Sequence, residues 1–252
     1  MHPRRHFLLR LLGLGSTLLI SGCDRLSQSP AFTRLLGSAE HLNRPLHYAL
    51  AGRLSLAKEF TEADLSPDFR ANGSTDPADS DYRRLLADNF RDWRLEVGGL
   101  VANPTQLSLA QIRALPARTQ ITRHDCVEGW SAIAKWKGAK LSALLEQVQP
   151  LPAARYVLFH CFDTLYGGAD HYYESIDFEN AYHPQTILAY EWNDQPLPVR
   201  YGAPLRLRVE RQLGYKMAKY IRRIELVESL DAINGGHGGY WEDRGYAWYA
   251  GI

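Results

Sequence analysis

From Leu205 to Val209 the chain reads Leu-Arg-Leu-Arg-Val. A period of two places Leu205, Leu207 and Val209 on one face of a strand and Arg206 and Arg208 on the other. Any fold for this chain must therefore give that strand a core on one side and a setting for two guanidiniums on the other. Just beyond it, Gly214 permits a turn, and Lys216 and Lys219 follow. Guanidinium forks, backbone amides and ammonium groups around a glycine turn suit a phosphate, whose oxygens they neutralise. The plainer reading is a solvated basic strand and turn. Neither a Walker-type loop nor a GxGxxG fingerprint occurs, so a nucleoside triphosphate or nicotinamide cofactor is not indicated.

The segment Arg123-His124-Asp125-Cys126-Val127-Glu128-Gly129-Trp130 sets a cysteine among charged residues and leads to Trp136-Lys137-Gly138. An unreactive buried thiol behaves as a small hydrophobe and usually sits in an apolar run, which this one does not. Arg123 and His124 are expected to favour the thiolate, the form that attacks electrophiles and binds soft metals. Taken alone, the segment leaves three readings open. Cys126 is a metal ligand, a nucleophile served by His124 or His160, or half of a disulfide with Cys161.

The amino end bears on that choice. Residues 1–22 hold Arg4, Arg5 and Arg10, no acid, and an apolar run from Leu11 to Ile20. That run is well short of the roughly 20 residues that span a bilayer, so an export signal is expected rather than a membrane helix. Arg4-Arg5-His6-Phe7-Leu8-Leu9 looks like a twin-arginine signal, an address for proteins exported already folded. Ile20-Ser21-Gly22-Cys23 resembles a bacterial lipobox, with cleavage before Cys23 and lipid on its sulfur, and Asp24 fits retention at the inner membrane. Without residues 1–22 the 29 basic residues fall to 26 against 28 acids, a formal charge of −2. The basic surplus of a nucleic-acid binder is absent. With Cys23 lipidated, only Cys126 and Cys161 are left to pair outside the cytoplasm.

Residues 23–45 are polar and mixed and read as a lipidated tether, leaving 46–252 for the folded domain. A second soft stretch, Ser66 to Asp81, contains the turn-forming run Asn72-Gly73-Ser74-Thr75-Asp76-Pro77. Trp93, Leu95 and Val97 alternate with Arg94 and Glu96, which predicts a strand closed by Gly98-Gly99. Ser108 and Gln111 form a capping box, predicting a short helix to about Leu115. Leu141 to Val148 is apolar at helical spacing and stops before Pro150, and Tyr156 to Phe159 predicts a buried strand leading to His160 and Cys161. Strands and short helices alternate without the steady rhythm of a parallel βαβ fold, so the expected class is α+β.

Four motifs then agree in order and spacing: Cys126-Val127-Glu128-x-Trp130, Trp136-x-Gly138, Gly202-Ala203-Pro204-Leu205-Arg206-Leu207 and Gly214-Tyr215-Lys216-x-x-Lys219. Together they resemble the sulfite oxidase superfamily of molybdopterin-dependent oxidoreductases over roughly Trp93 to Val227. The Cys-Val-Glu-x-Trp form is similar to the catalytic subunit of bacterial periplasmic methionine-sulfoxide reductases. The resemblance implies a sulfite-oxidase-type molybdopterin-binding fold of mixed sheets with short helices, and a molybdenum-molybdopterin cofactor. Cys126 is the implied metal ligand, a soft donor suited to such a centre. Arg206, Lys219 and the backbone at Met217 and Ala218 are the implied holders of the pterin and its phosphate, with Lys216 near enough to join them. Tyr201 and Cys161 stand where the reductases carry an asparagine and a threonine. Asn72, in preference to Asn89, is the implied early pterin contact. Glu128 matches a glutamate near the metal, able to relay a proton or to serve as a structural acid.

Departures from the pattern narrow the expectation. Gly129-Trp130-Ser131 stand where sulfite oxidases carry basic residues, which disfavours sulfite. Little chain follows the pterin region, so the added immunoglobulin-like dimerisation domain is not expected and a monomeric catalytic subunit is. No Cys-x-x-Cys-His haem site occurs, which implies a haem-containing membrane or periplasmic electron-transfer partner. Lipid on Cys23 would hold the enzyme on the periplasmic side of the bacterial inner membrane. The implied chemistry is oxygen-atom transfer on a small molecule, with substrate and direction open. The tail from Asn234 to Ile252, rich in Tyr and Trp, is expected to pack as a strap in preference to docking a partner. The alternative for the whole chain is a non-catalytic lipoprotein binding module with a Cys126–Cys161 disulfide.

Overall fold

The computed structural model describes residues 29–165 and 168–252. The expected export signal, the lipobox and Cys23 lie outside the described residues. Two compact units divide between Ala51 and Gly52. In the first, α1 (Pro30–Ala51) contains Pro45 and exposes Leu35, Leu42, Leu46 and Leu50. Most of the expected tether is thus helical, and the helix continues six residues past 45. Among the described residues, no helix is long and apolar enough to cross a membrane.

In the second unit the elements follow in the order α2 (Ser80–Ala87), β1 (Arg94–Gly99), β2 (Thr105–Ser108), α3 (Leu109–Arg113), β3 (Ala117–Asp125), β4 (Ser131–Lys140) and α4 (Leu141–Val148). They continue with β5 (Tyr156–Thr164), β6 (His171–Asp177), α5 (Phe178–Ala181), β7 (Ile187–Trp192), β8 (Gln195–Pro196), β9 (Arg206–Arg208) and β10 (Ile221–Val227). One sheet has the order β2-β1-β10-β5-β6, in which only β1 and β10 run parallel. The other is antiparallel, β3-β4-β7-β8, with β9 also on β7. This is the α+β class, with mixed pairing and short helices.

Local chemistry accounts for most boundaries. Leu95 and Val97 of β1 are buried while Arg94 and Glu96 are exposed, as alternation requires. The Ser108–Gln111 box starts α3, with the Gln111 N–H donating to Ser108 Oγ at 3.2 Å and the Ser108 N–H donating to Gln111 Oε1 at 2.9 Å. In α4 the spaced Leu141, Leu144, Leu145 and Val148 all face the main core. The stretch read as loop up to Asp81 turns helical at Ser80, because Asp79 caps α2 by accepting from the Tyr82 N–H at 2.9 Å.

Three-residue β9 departs furthest from its reading. Both faces are buried, so Arg206 and Arg208 meet protein and not water. They cross β7 opposite Ala189 and Ile187 and stack on Trp136 of β4, with guanidinium carbons 4.9 and 4.5 Å from its ring centre. Gly138, paired with Ala189, lets β4 and β7 close up, since a Cβ there would stand 2.3 Å from the Leu188 carbonyl oxygen. The Trp136-x-Gly138 spacing therefore has a packing cause.

The C-terminal segment packs as a strap. Leu213 N–H donates to Ala250 O at 2.9 Å, Trp248 Nε1 to Ser175 Oγ at 2.9 Å and Tyr215 Oη to Ala247 O at 2.7 Å. Its anchor is Glu242, which with Glu174 of β6 holds the fully buried Lys216 ammonium, each at 2.5 Å.

Two outcomes test this packing. Lys216→Met strands two buried carboxylates and should cost about 3–5 kcal/mol in urea unfolding; an unchanged midpoint would mean the cluster holds nothing. Gly138→Ala pushes a methyl into the β7 backbone and should cost about 3 kcal/mol by the same measurement.

Candidate active site

The β3–β4 hairpin carries the cysteine at its tip. Pairing runs from Ala117 opposite Ala139 to Asp125 opposite Ser131, leaving Cys126 to Trp130 as the loop. Cys126 N–H donates to Trp130 O at 2.9 Å, and Gly129 N–H returns to Cys126 O at 3.0 Å. Gly129 has φ +83°, a left-handed conformation that glycine adopts without a Cβ penalty. Glycine after Glu128 thus serves the turn that presents the thiol. Glu128 Oε2 accepts from Trp130 Nε1 at 2.9 Å, which fixes the carboxylate beside the sulfur's loop.

The expected field around the thiol is different in fact. Arg123 turns to Asp125, Nε to Oδ1 2.8 Å, and His124 is buried. Burial, then Arg208, Arg206 and Lys219, hold its imidazole well below the usual range. Burial raises the Cys126 thiol, and the Glu128 charge adds to this; the Glu128 and Val127 backbone N–H groups and Arg70 act in the opposite direction. The isolated chain therefore keeps Cys126 as a thiol, which disfavours a nucleophile activated by these neighbours. Cys126 and Cys161 are both free. Cys161 lies fully buried on β5, and the Cys126–Cys161 bridge is not formed.

Cys126, Val127 and Glu128 line a cleft of about 140 Å³. Asn72, Gly73 and Ser74 form one side, and Gly214, Tyr215, Met217 and Lys219 another. Asp163, Leu165 and Tyr172 come from the β5–β6 region, and Trp241 and Tyr246 from the strap. Of the residues implied from sequence, Cys126, Glu128, Asn72, Met217 and Lys219 meet here, whereas Asn89 lines a separate surface hollow beside Ala203.

The other implied contacts are placed away from the cleft lining. Tyr201 is buried and donates its hydroxyl to Phe69 O at 2.7 Å. Lys216 points into its two glutamates and does not offer its ammonium to the cleft. Ala218 is buried, its carbonyl accepting from Leu207 N–H at 2.8 Å, while the Met217 N–H donates to Gly214 O at 3.1 Å. Arg206 lies behind the lining, donating Nη1 to Tyr201 O at 3.0 Å and Nη2 to Met217 O at 3.5 Å.

These residues can be tested against an anionic, phosphate-bearing cofactor. Arg206, Arg208 and Lys219 are all buried cations. Arg208 is neutralised by Glu210, Nη2 to Oε2 2.6 Å, but Arg206 bonds carbonyl oxygens and leaves Nε without a partner. Burial and the Arg208 charge push Arg206 down to about 9. Lys219 bonds the carbonyls of Asn72, at 2.7 Å, and Ser74; burial and Arg206 push it down, while burial pushes nearby Asp163 up. A buried positive surplus is costly unless an anion joins it. His124 adds an orphan: Nδ1 accepts from Arg208 Nη1 at 2.9 Å, so Nε2 carries the proton, and it has no acceptor. Nε2 faces Gly214, where a Cβ would stand 2.4 Å away. Among the described residues, no cluster of three or more His, Cys, Asp or Glu is placed to hold a metal. The residues fit the group.

Sequence reasoning missed several participants. Asp163 lies beyond the buried strand read over Tyr156 to Phe159, because β5 runs on to Thr164 and buries it. Glu174 and Glu242 hold Lys216 from 42 and 26 residues away, and no local pattern marks them.

Comparisons with known proteins agree with this geometry. Residues 84–232 match the oxidoreductase molybdopterin binding domain family. The chain is 39% identical over 248 residues to a protein of Azospira oryzae named as a protein-methionine-sulfoxide reductase subunit, YedZ1, covering 98% of this chain and 87% of that one. It is 30% identical over 235 residues to the protein-methionine-sulfoxide reductase catalytic subunit MsrP of Xanthomonas axonopodis pv. citri, covering 90% and 70%. In structure it is similar to the sulfane dehydrogenase SoxCD of Paracoccus pantotrophus, with a TM-score of 0.50 and 21% identity over 55% of this chain and 39% of that one, a likeness of fold alone. A buried Arg206 with no carboxylate of its own, in a chain of this descent, has its explanation: the chain belongs to the oxidoreductase molybdopterin binding domain family of the sulfite oxidase superfamily and is a molybdopterin-dependent oxidoreductase.

Proposed function

We propose that this chain reduces a sulfoxide of the methionine type by oxygen-atom transfer at a molybdenum held through Cys126. The observation that carries the reading is the charge of the cleft. Its lining has one cation, Lys219, against Glu128 and the buried Asp163, whose proton burial helps to retain, and the rest is uncharged. An anion such as sulfite gains little there, whereas an uncharged S=O group with organic substituents fits. The names of the Azospira and Xanthomonas relatives support the same substrate class.

The roles of the chain's residues follow from their places. Arg206 and Lys219 hold the anionic end of the cofactor, with the His124 Nε2–H as a further donor. Cys126 supplies the protein's thiolate to the metal, a pairing of soft donor and soft centre. Metal binding replaces the thiol proton, so affinity weakens as pH falls. The bound cofactor supplies two-electron chemistry, by which a sulfoxide takes up two electrons and two protons and leaves as thioether and water. Glu128, fixed by Trp130, stands beside the sulfur's loop to hold one of those protons. Trp241 and Tyr246 wall the cleft on the strap side and limit water there. Lys216 serves by fixing the Gly214–Lys216 turn, not by meeting phosphate.

The reading extends to location. The twin-arginine and lipobox features at Arg4-Arg5 and Ile20 to Cys23 support an exported enzyme, lipid-anchored on the periplasmic side of the bacterial inner membrane. The sequence has no Cys-x-x-Cys-His haem site, which supports electron delivery by a haem-containing partner.

Metal and pterin analysis of protein made with intact cofactor supply should find about one molybdenum per chain; none in the wild type sinks the proposal. With a reduced viologen as electron donor, the enzyme should turn over N-acetylmethionine sulfoxide, and Cys126→Ser should lose at least about 100-fold while staying folded. Sulfite oxidation without sulfoxide reduction would refute the substrate class. Arg206→Met should lower pterin content by at least about tenfold, one lost charge-assisted contact. Without cofactor, the same variant should melt close to wild type, because removal of an unmatched buried charge offsets the lost indole stacking and carbonyl bonds; calorimetry of the two apoproteins reads this.

A further inference from the structure

We infer that Trp241 and Tyr246, on the C-terminal strap, are the specificity-determining residues of the cleft, gripping the organic groups carried on the sulfoxide sulfur. The inference rests on the sulfoxide reading above. Both rings line the same cleft as Cys126, and they stack on each other with centroids 5.1 Å apart and planes at 25°. Tyr215 braces Tyr246 edge-on at 5.2 Å and 85°, and Tyr240 braces Trp241 at 5.5 Å and 83°. The rings leave surface open on the cleft side, with Tyr246 36% exposed.

Their backbone is fixed as firmly as their rings. Tyr246 N–H donates to Trp241 O at 3.0 Å, and Gly245, at φ +97°, closes the turn. Between the two rings in sequence, Glu242 points inward to Lys216, whose neighbours Gly214 and Tyr215 also line the cleft. One buried ion pair therefore ties the aromatic wall to the turn that faces Cys126. A wall so held is pre-organised, and contact with it costs a ligand little ordering of the protein. Its chemistry suits carbon and sulfur: thioether and methyl groups pack favourably on aromatic rings, and neither ring brings a charge. Both residues also lie beyond residue 232, where the match to the family ends. The wall therefore lies outside the pterin-binding region that the family match covers.

The test is steady-state reduction by the molybdenum-loaded enzyme, with a reduced viologen as donor and two substrates, N-acetylmethionine sulfoxide and dimethyl sulfoxide. Trp241→Ala and Tyr246→Ala should each raise KM for N-acetylmethionine sulfoxide about tenfold, the loss of one good ring contact. KM for dimethyl sulfoxide, whose two methyl groups give the rings far less to grip, should rise by clearly less, so the preference in kcat/KM for N-acetylmethionine sulfoxide falls; molybdenum content should be unchanged, and Trp241→Phe should restore most of the lost affinity. Unchanged KM in both alanine variants at normal molybdenum content overturns the inference. A parallel fall in activity on both substrates, with loss of molybdenum and no rescue by Trp241→Phe, also overturns it, because the rings would then be structural only. If the molybdenum-loaded wild type reduces no sulfoxide, the substrate reading itself fails first, and the inference falls with it.

Discussion

Two guanidiniums stacked on one indole hold the site together. Arg206 and Arg208 reach across β7 to Trp136, and each part of that contact depends on a small residue elsewhere. Ala189 lies under Arg206 in register and leaves room for it, while Gly138 lets β4 approach the β7 backbone. The indole's negative face offsets some of the cost of burying the cations. Phe69 then meets the same tryptophan edge-on and gathers Trp130 and Tyr201 around itself in a second, aromatic core. The hairpin that carries Cys126 is thereby fixed relative to the strand that carries the cations.

That arrangement leaves electrostatic business unfinished. Glu210 serves Arg208 and also accepts from Gln120 Nε2 at 2.8 Å, so it is fully engaged, and Arg206 has no carboxylate of its own. Residues with depressed pKa values cluster where a function needs them, and here the depression has one direction, against positive charge. Arg206, Lys219 and His124 all lose affinity for protons because each is buried near another cation. An anionic cofactor reverses the sign of that neighbourhood and raises all three together. The chain alone carries the strain, and binding relieves it.

How much of this could be read in advance depended on where each residue's partners lie. Alternation at Leu95 and Val97 and the box at Ser108 and Gln111 were legible because partners sit two or three residues apart. One apolar face of β9 was legible too. Its other face was not, because whether an arginine meets water or an indole is decided by Trp136, far away in the chain. Lys216 was read as a phosphate contact from its place beside Gly214, and its two glutamates came from β6 and the strap. The cysteine motif displayed its residue types, but not that Arg123 would turn outward to Asp125 and His124 inward to Arg208.

The cleft is built from parts inside and outside the family's matched region. Hairpin tip, cation strand and glycine turn lie within residues 84–232, the region shared with the family, and these are the parts that suit the cofactor. Asn72 to Ser74 and the strap lie outside it, yet they form two of its sides. The Lys219 ammonium bonds the carbonyls of Asn72 and Ser74, and the Lys216 ammonium bonds Glu242. Two lysines three apart on one turn thus attach both outer walls to the shared centre. Changing either wall alters what the cleft admits, provided its bond to the turn is kept, while leaving the Cys126 hairpin in place. Substrate choice in this fold can therefore vary without redesign of the redox site.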